Sequence, residues 1–142
     1  MKSIYLLLLV AQSLWAQNPV QWSAQARQTD THTYDVVVSA TIVENWKLYS
    51  TDLPEGGPLP TVFKWQNATP LGNIQGTTPK TGFDPIFDIE LSYFIKKAML
   101  VQTVHTEEKE INLLIEYQTC DDAVCIFREE NLVIPNMLNA KM

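Results

Sequence analysis

Cationic side chains are scarce in this chain: 10 Lys and Arg stand against 16 Asp and Glu, a net charge of −6 at pH 7. Nucleic acid needs clustered cations, so that class of partner has no electrostatic support here. Lys96 and Lys97 are adjacent but isolated and read as a solvated strand end. Histidines number two and cysteines two, whereas a structural zinc site takes four ligands. No metal and no cofactor is therefore expected, and His32 and His105, each beside threonine in polar sequence, read as surface residues. A Ser–His–Asp hydrolase pattern is also missing. Repeats and low-complexity tracts are absent. At 142 residues the chain has room for one domain and enough core to fold without metal or many disulfides.

The first residues have the layout of a secretory signal: Lys2 supplies a positive start, Ile4 to Val10 an apolar stretch, and Ala11 to Ala16 a grade into small and polar residues. The apolar stretch is far short of the ~20 residues that span a bilayer, and no cysteine follows it for a lipid anchor. The expected division is a signal peptide over 1–16, cut after Ala16, and one exported domain over 17–142. That domain is expected to have no stable membrane insertion and to reside in the periplasm.

What the chain does have is short runs of period two. Val20, Trp22, Ala24 and Ala26 alternate with polar residues; Val36, Val38, Ala40 and Ile42 share one face, as do Ile111, Leu113, Ile115 and Tyr117. Further strands are expected at Trp46–Tyr49, Thr61–Trp65, Ile89–Phe94, Ala98–His105 and Leu132–Ile134. Pro54, Gly56, Gly57, Pro58 and Pro60 mark one loop, and the stretch from Pro70 to Gly82 reads as irregular. Seven to nine short strands separated by turns predict an all-β, immunoglobulin-like antiparallel β-sandwich.

Both cysteines lie in one segment, Thr119-Cys120-Asp121-Asp122-Ala123-Val124-Cys125. Flanking an Asp-Asp turn at the mouth of a hairpin, their Cα atoms can approach the roughly 5.5–6 Å of a disulfide, and export to an oxidising compartment favours the bond. Closing so short a loop contributes only on the order of 2 kcal/mol, which leaves both a hairpin staple and a working dithiol open. Asp121 and Asp122 disfavour a thiolate at Cys120. With Arg128 the nearest cation in the chain, the pair reads as an electron relay whose disulfide is attacked by a partner's thiolate. The Cys-x-x-Cys spacing of thioredoxin-like folds is absent.

Four segments in order resemble the N-terminal domain of the DsbD family of thiol:disulfide interchange proteins: Glu44-Asn45-Trp46-Lys47-Leu48-Tyr49-Ser50, the loop Leu53 to Thr61, Phe83-Asp84-Pro85-Ile86-Phe87-Asp88 with Leu91 to Phe94, and Tyr117 to Cys125. The resemblance implies an immunoglobulin-like domain whose catalytic pair is Cys120 and Cys125. Phe87 corresponds to an aromatic cap over the disulfide, and Tyr49 and Trp46 to aromatics near it. Asp84 and Asp88 flank the cap with no role assigned. The implied partners are a thioredoxin-like or membrane electron-donor protein and envelope thiol/disulfide proteins, including cytochrome c maturation factors. Where many relatives carry prolines after the second cysteine, Ile126-Phe127-Arg128 follows here. The transmembrane and thioredoxin-like domains of full-length DsbD do not occur within these residues, so a separate membrane protein is expected to supply electrons. The competing expectation is a non-catalytic binding or assembly module of the same fold with a structural disulfide.

Overall fold

A computed structural model describes residues 18–136; the signal expected over 1–16 lies outside the described residues. Eleven strands form two sheets. In one, β1 (Val20–Asp30), β2 (Thr33–Ile42) and β9 (Lys97–His105) run side by side, and the two-residue pieces β5 (Thr69–Pro70) and β6 (Gln75–Gly76) pair with the free edge of β9. The other has the order β11 (Cys125–Pro135), β10 (Glu110–Cys120), β3 (Lys47–Tyr49), β8 (Ile89–Phe94) and β7 (Lys80–Asp84), with β4 (Val62–Trp65) pairing farther along β10. All named strand pairs are antiparallel. The chain is the immunoglobulin-like β-sandwich that the period-two runs predict.

Alternation sets the core. Successive side chains on a strand point to opposite faces, and the residues of β2 and β10 singled out by periodicity are buried: Val36, Val38, Ala40 and Ile42 from one sheet, Ile111, Leu113, Ile115 and Tyr117 from the other. Trp22 meets the Tyr117 ring edge-on with centroids 5.3 Å apart, and the Tyr117 hydroxyl donates to Asn18 Oδ1 at 3.0 Å.

Two stretches differ from expectation. The region read as irregular from Pro70 to Gly82 contributes the end of β5, all of β6 and the first three residues of β7. β5 and β6 are held by pairing with β9 and carry no apolar alternation. Gly76 has φ +137°, and a Cβ there would be driven into the Met99 carbonyl. β7 is an edge strand whose Phe83 is 64% exposed, so burial leaves no periodic mark on it. Conversely, the strand expected only at Leu132–Ile134 extends back to Cys125. Arg128, Glu129 and Glu130 conceal it, because an edge strand tolerates charge and is protected by it from pairing with other chains.

Candidate functional site

The last residue of β10 is Cys120 and the first of β11 is Cys125, directly opposed in the ladder and joined by a disulfide with Cα atoms 4.1 Å apart. They are closer than the 5.5–6 Å of a typical bridge because they form a narrow, non-hydrogen-bonded antiparallel pair. The next pair inward on the turn makes the backbone bond, Asp121 N to Val124 O at 2.9 Å. Asp121 builds the turn: its Oδ1 accepts from Ala123 N at 2.8 Å and Val124 N at 2.7 Å, an Asx-type arrangement. Its carboxylate is thus occupied by the turn backbone, while Asp122 is exposed and lines a groove beside the hairpin.

The two sulfur-bearing residues differ in access. Cys120 is 1% exposed; Cys125, on the sheet-edge strand β11, is exposed. Parity explains the burial of Cys120. Thr119 faces the main core with Leu48, and Cys120 therefore faces outward with its cross-strand partner Lys47. On this outer face Tyr49 and Tyr93 are paired, as are Tyr93 and Lys80, Leu91 and Gly82, and Ile89 and Asp84. Tyr49, Leu91 and Cys120 form a second buried cluster, flanked by Leu53, Phe87, Ile89 and Tyr93. The loop after β3 closes one side. Thr61 Oγ1 donates to the Tyr49 carbonyl at 2.7 Å, and Leu59 N donates to Gln118 Oε1 at 2.8 Å.

The turn between β7 and β8 closes the other side, and Asp84 organises it. This carboxylate is buried. It accepts from the Tyr49 hydroxyl at 2.8 Å, from Ile86 N at 2.9 Å and from Phe87 N at 3.4 Å. Lys47 Nζ lies 3.9 Å from its Oδ2 and 5.0 Å from the centre of the Tyr93 ring. The half-buried Phe87 packs against the Cys120 cluster and meets Tyr49 edge-on at 6.1 Å.

Cys120, Cys125, Tyr49 and Phe87 are therefore gathered at one corner of the fold. Trp46 packs against the main core and borders the groove. Arg128 is the nearest cation along the chain, but it stands an odd number of residues from Cys125 and so faces away from it. Lys47, distant in sequence, occupies the position across from Cys120. His32 and His105 are both exposed, as expected, and the β2–β9 pairing brings them to 6.0 Å between ring centroids. Among the described residues no three His, Cys, Asp or Glu side chains gather as a metal site. Sequence reasoning left Asp84 without a role, although an Asp immediately before Pro85 is a turn signal; nothing local marks Lys47.

Burial, the hydrogen bond to Asp84 and the Asp84 charge all push the Tyr49 phenol above its ordinary value of 10. Burial likewise raises Tyr117. A phenol whose folded value exceeds its unfolded one stabilises the fold fully below pH 10. That stability is lost as pH climbs toward the folded value, because only the unfolded chain ionises there. Urea unfolding is expected to show a lower midpoint at pH 10.5–11 than at pH 8, and Tyr49→Phe is expected to shrink that difference.

Residues 12–136 match the family described as thiol:disulfide interchange protein DsbD, N-terminal. No curated protein sequence matches the chain. Among solved structures, the fold resembles the N-terminal periplasmic domain of ScsB from Proteus mirabilis, with TM-score 0.68 and 17% identity over 87% of this chain and 49% of that one. It also resembles the reduced N-terminal domain of Neisseria meningitidis DsbD, with TM-score 0.55 and 16% identity over 71% of this chain and 76% of the other. The chain thus spans about half the length of the ScsB chain. By the match across most of its length, the chain belongs to the DsbD N-terminal family.

Proposed function

We propose that this protein is a thiol–disulfide exchange domain of the cell envelope in which Cys120 and Cys125 carry two electrons between partner proteins. The observation that carries the proposal is the asymmetric disulfide: one cysteine exposed on a sheet edge, the other buried under an aromatic turn. A donor thiolate attacks Sγ of Cys125, the Cys120–Cys125 bond breaks, and Cys120 leaves as a thiolate that takes a proton. A second donor thiol then attacks the donor's own sulfur in the mixed disulfide, which frees Cys125 and leaves the donor oxidised. Delivery to an acceptor disulfide runs the same steps in reverse. Lys47, across from Cys120, favours the departing thiolate, and burial opposes it.

Phe87 serves as the cap over Cys120, keeping small thiols from the inner sulfur until a partner displaces the turn. Ile86 and Val124 are 52% and 51% exposed and put an apolar side chain on both the cap turn and the hairpin tip. Both suit a docking protein. The donor is a thioredoxin-like or membrane protein, and the acceptors are envelope thiol/disulfide proteins, cytochrome c maturation factors among them. Periplasmic residence is supported by family membership and by the periplasmic ScsB domain of like fold. Among the described residues no helix is long and apolar enough to cross a membrane.

The test is the reduction potential of the pair, measured by equilibration with glutathione or dithiothreitol. A value of about −200 to −270 mV is expected for an exchange partner. A value below about −300 mV would instead mark a structural staple in a binding module.

A further inference from the structure

Beside the hairpin runs an open groove of about 720 Å³ lined by Lys47, Lys80, Lys96 and Lys97, with Trp46 and Tyr93 among its walls. Residues 18–136 hold eight Lys and Arg side chains and all sixteen of the carboxylates, so half of these cations line one groove, against two carboxylates, Glu44 and Asp122. Elsewhere Arg27 and Lys64 are neutralised by Asp35 and Glu116, and within the groove Lys47 is paired with the buried Asp84. Lys80, Lys96 and Lys97 are exposed and make no ion pair among the described residues. The adjacent lysines at the start of β9 are thus part of a cationic strip and not an isolated strand end. The strip reaches the disulfide through Lys47, the cross-strand partner of Cys120, and the groove ends at Asp122 of the hairpin that joins the cysteines.

From this charge distribution we infer that the groove docks an acidic, extended segment of the protein that exchanges electrons with Cys120–Cys125. The inference rests on the exchange function proposed above. An acidic domain repels an acidic partner on the whole and attracts it at this strip, so charge orients the encounter and brings the partner's sulfur to the exposed Cys125. Lysines spread from the edge strand β7 to the start of β9 match several carboxylates along a chain better than a single compact anion.

The test uses two synthetic peptides of equal length carrying the same dithiol, one followed at a distance by a run of Glu and the other by Gln. Each peptide's second-order rate of reducing the oxidised protein is divided by the dithiothreitol rate on the same protein. At about 10 mM salt, where screening extends about 30 Å, the Glu peptide is expected to react about tenfold faster than the Gln peptide, within the range of electrostatic steering. That advantage is expected to vanish near 1 M salt, where screening falls to about 3 Å, and in the double variant Lys80→Glu, Lys97→Glu. Lys96 is left intact because its φ of +63° makes that backbone position sensitive. Equal rates for the two peptides at low salt would overturn the docking inference while leaving thiol exchange standing, as would a Glu advantage that survives the double variant. A bond that neither peptide nor dithiothreitol reduces would overturn thiol exchange itself, and the inference with it.

Discussion

Reduced Cys120→Ala protein is expected to form mixed disulfides with an oxidised dithiol protein at least about tenfold faster than reduced Cys125→Ala protein. Exchange requires in-line approach of one sulfur to another, so access weighs directly on its rate. Cys125 opens the edge strand β11 and is exposed, whereas Cys120 is 1% exposed beneath Tyr49, Leu91 and the flanking Phe87. In Cys120→Ala the remaining thiol meets the partner, and no neighbour resolves the bond it forms. In Cys125→Ala the remaining thiol is covered. Both variants lose the same cross-link, at a cost on the order of 2 kcal/mol, and Cys120→Ala also deletes a buried sulfur, so trapping is compared where both variants are folded. Mass spectrometry of the trapped adducts reads it directly. Equal trapping by the two variants would show that the burial of Cys120 does not govern entry, and preferential trapping by Cys125→Ala would assign attack to the inner sulfur.

How much of this site the sequence reveals depends on the kind of order each residue has. Strands buried on one face leave period-two runs, so β2 and β10, and hence the sandwich, are legible from Val36 to Ile42 and from Ile111 to Tyr117. The cysteine hairpin is legible because its parts are contiguous. Edge strands are harder to see. β7 has no apolar alternation and β11 carries Arg128, Glu129 and Glu130 in its first half, because both are sheet-edge strands. Lys47 and Asp84 are obscure for another reason. They come together through the order β10-β3-β8-β7, a pairing of segments 37 residues apart in the chain, and no local pattern encodes which strands become neighbours. His32 and His105 meet for the same reason, by the β2–β9 ladder.

Asp84→Ala is expected to lower stability by about 2–3 kcal/mol and to speed reduction of the disulfide by dithiothreitol about tenfold. The stability loss comes from the groups that this carboxylate satisfies. Without it the fully buried Tyr49 hydroxyl has no acceptor, and an orphaned buried donor costs about 1–3 kcal/mol; the amides of Ile86 and Phe87 lose theirs too. The rate gain comes from the turn that those amides hold, because Phe87 reaches the Cys120 cluster only through it. Companion variants separate the two effects. Asp84→Asn keeps an oxygen for the turn amides and should retain most of the wild-type rate. Tyr49→Phe on the Asp84→Ala background removes the orphaned hydroxyl, so part of the stability should return, since deleting both partners of a buried bond is far cheaper than deleting one. Phe87→Ala leaves the Asp84 bonds in place and should speed dithiothreitol reduction with a smaller loss of stability. If Asp84→Ala and Phe87→Ala are both reduced at the wild-type rate, Phe87 does not shield the sulfurs, and access is set by the hairpin edge alone.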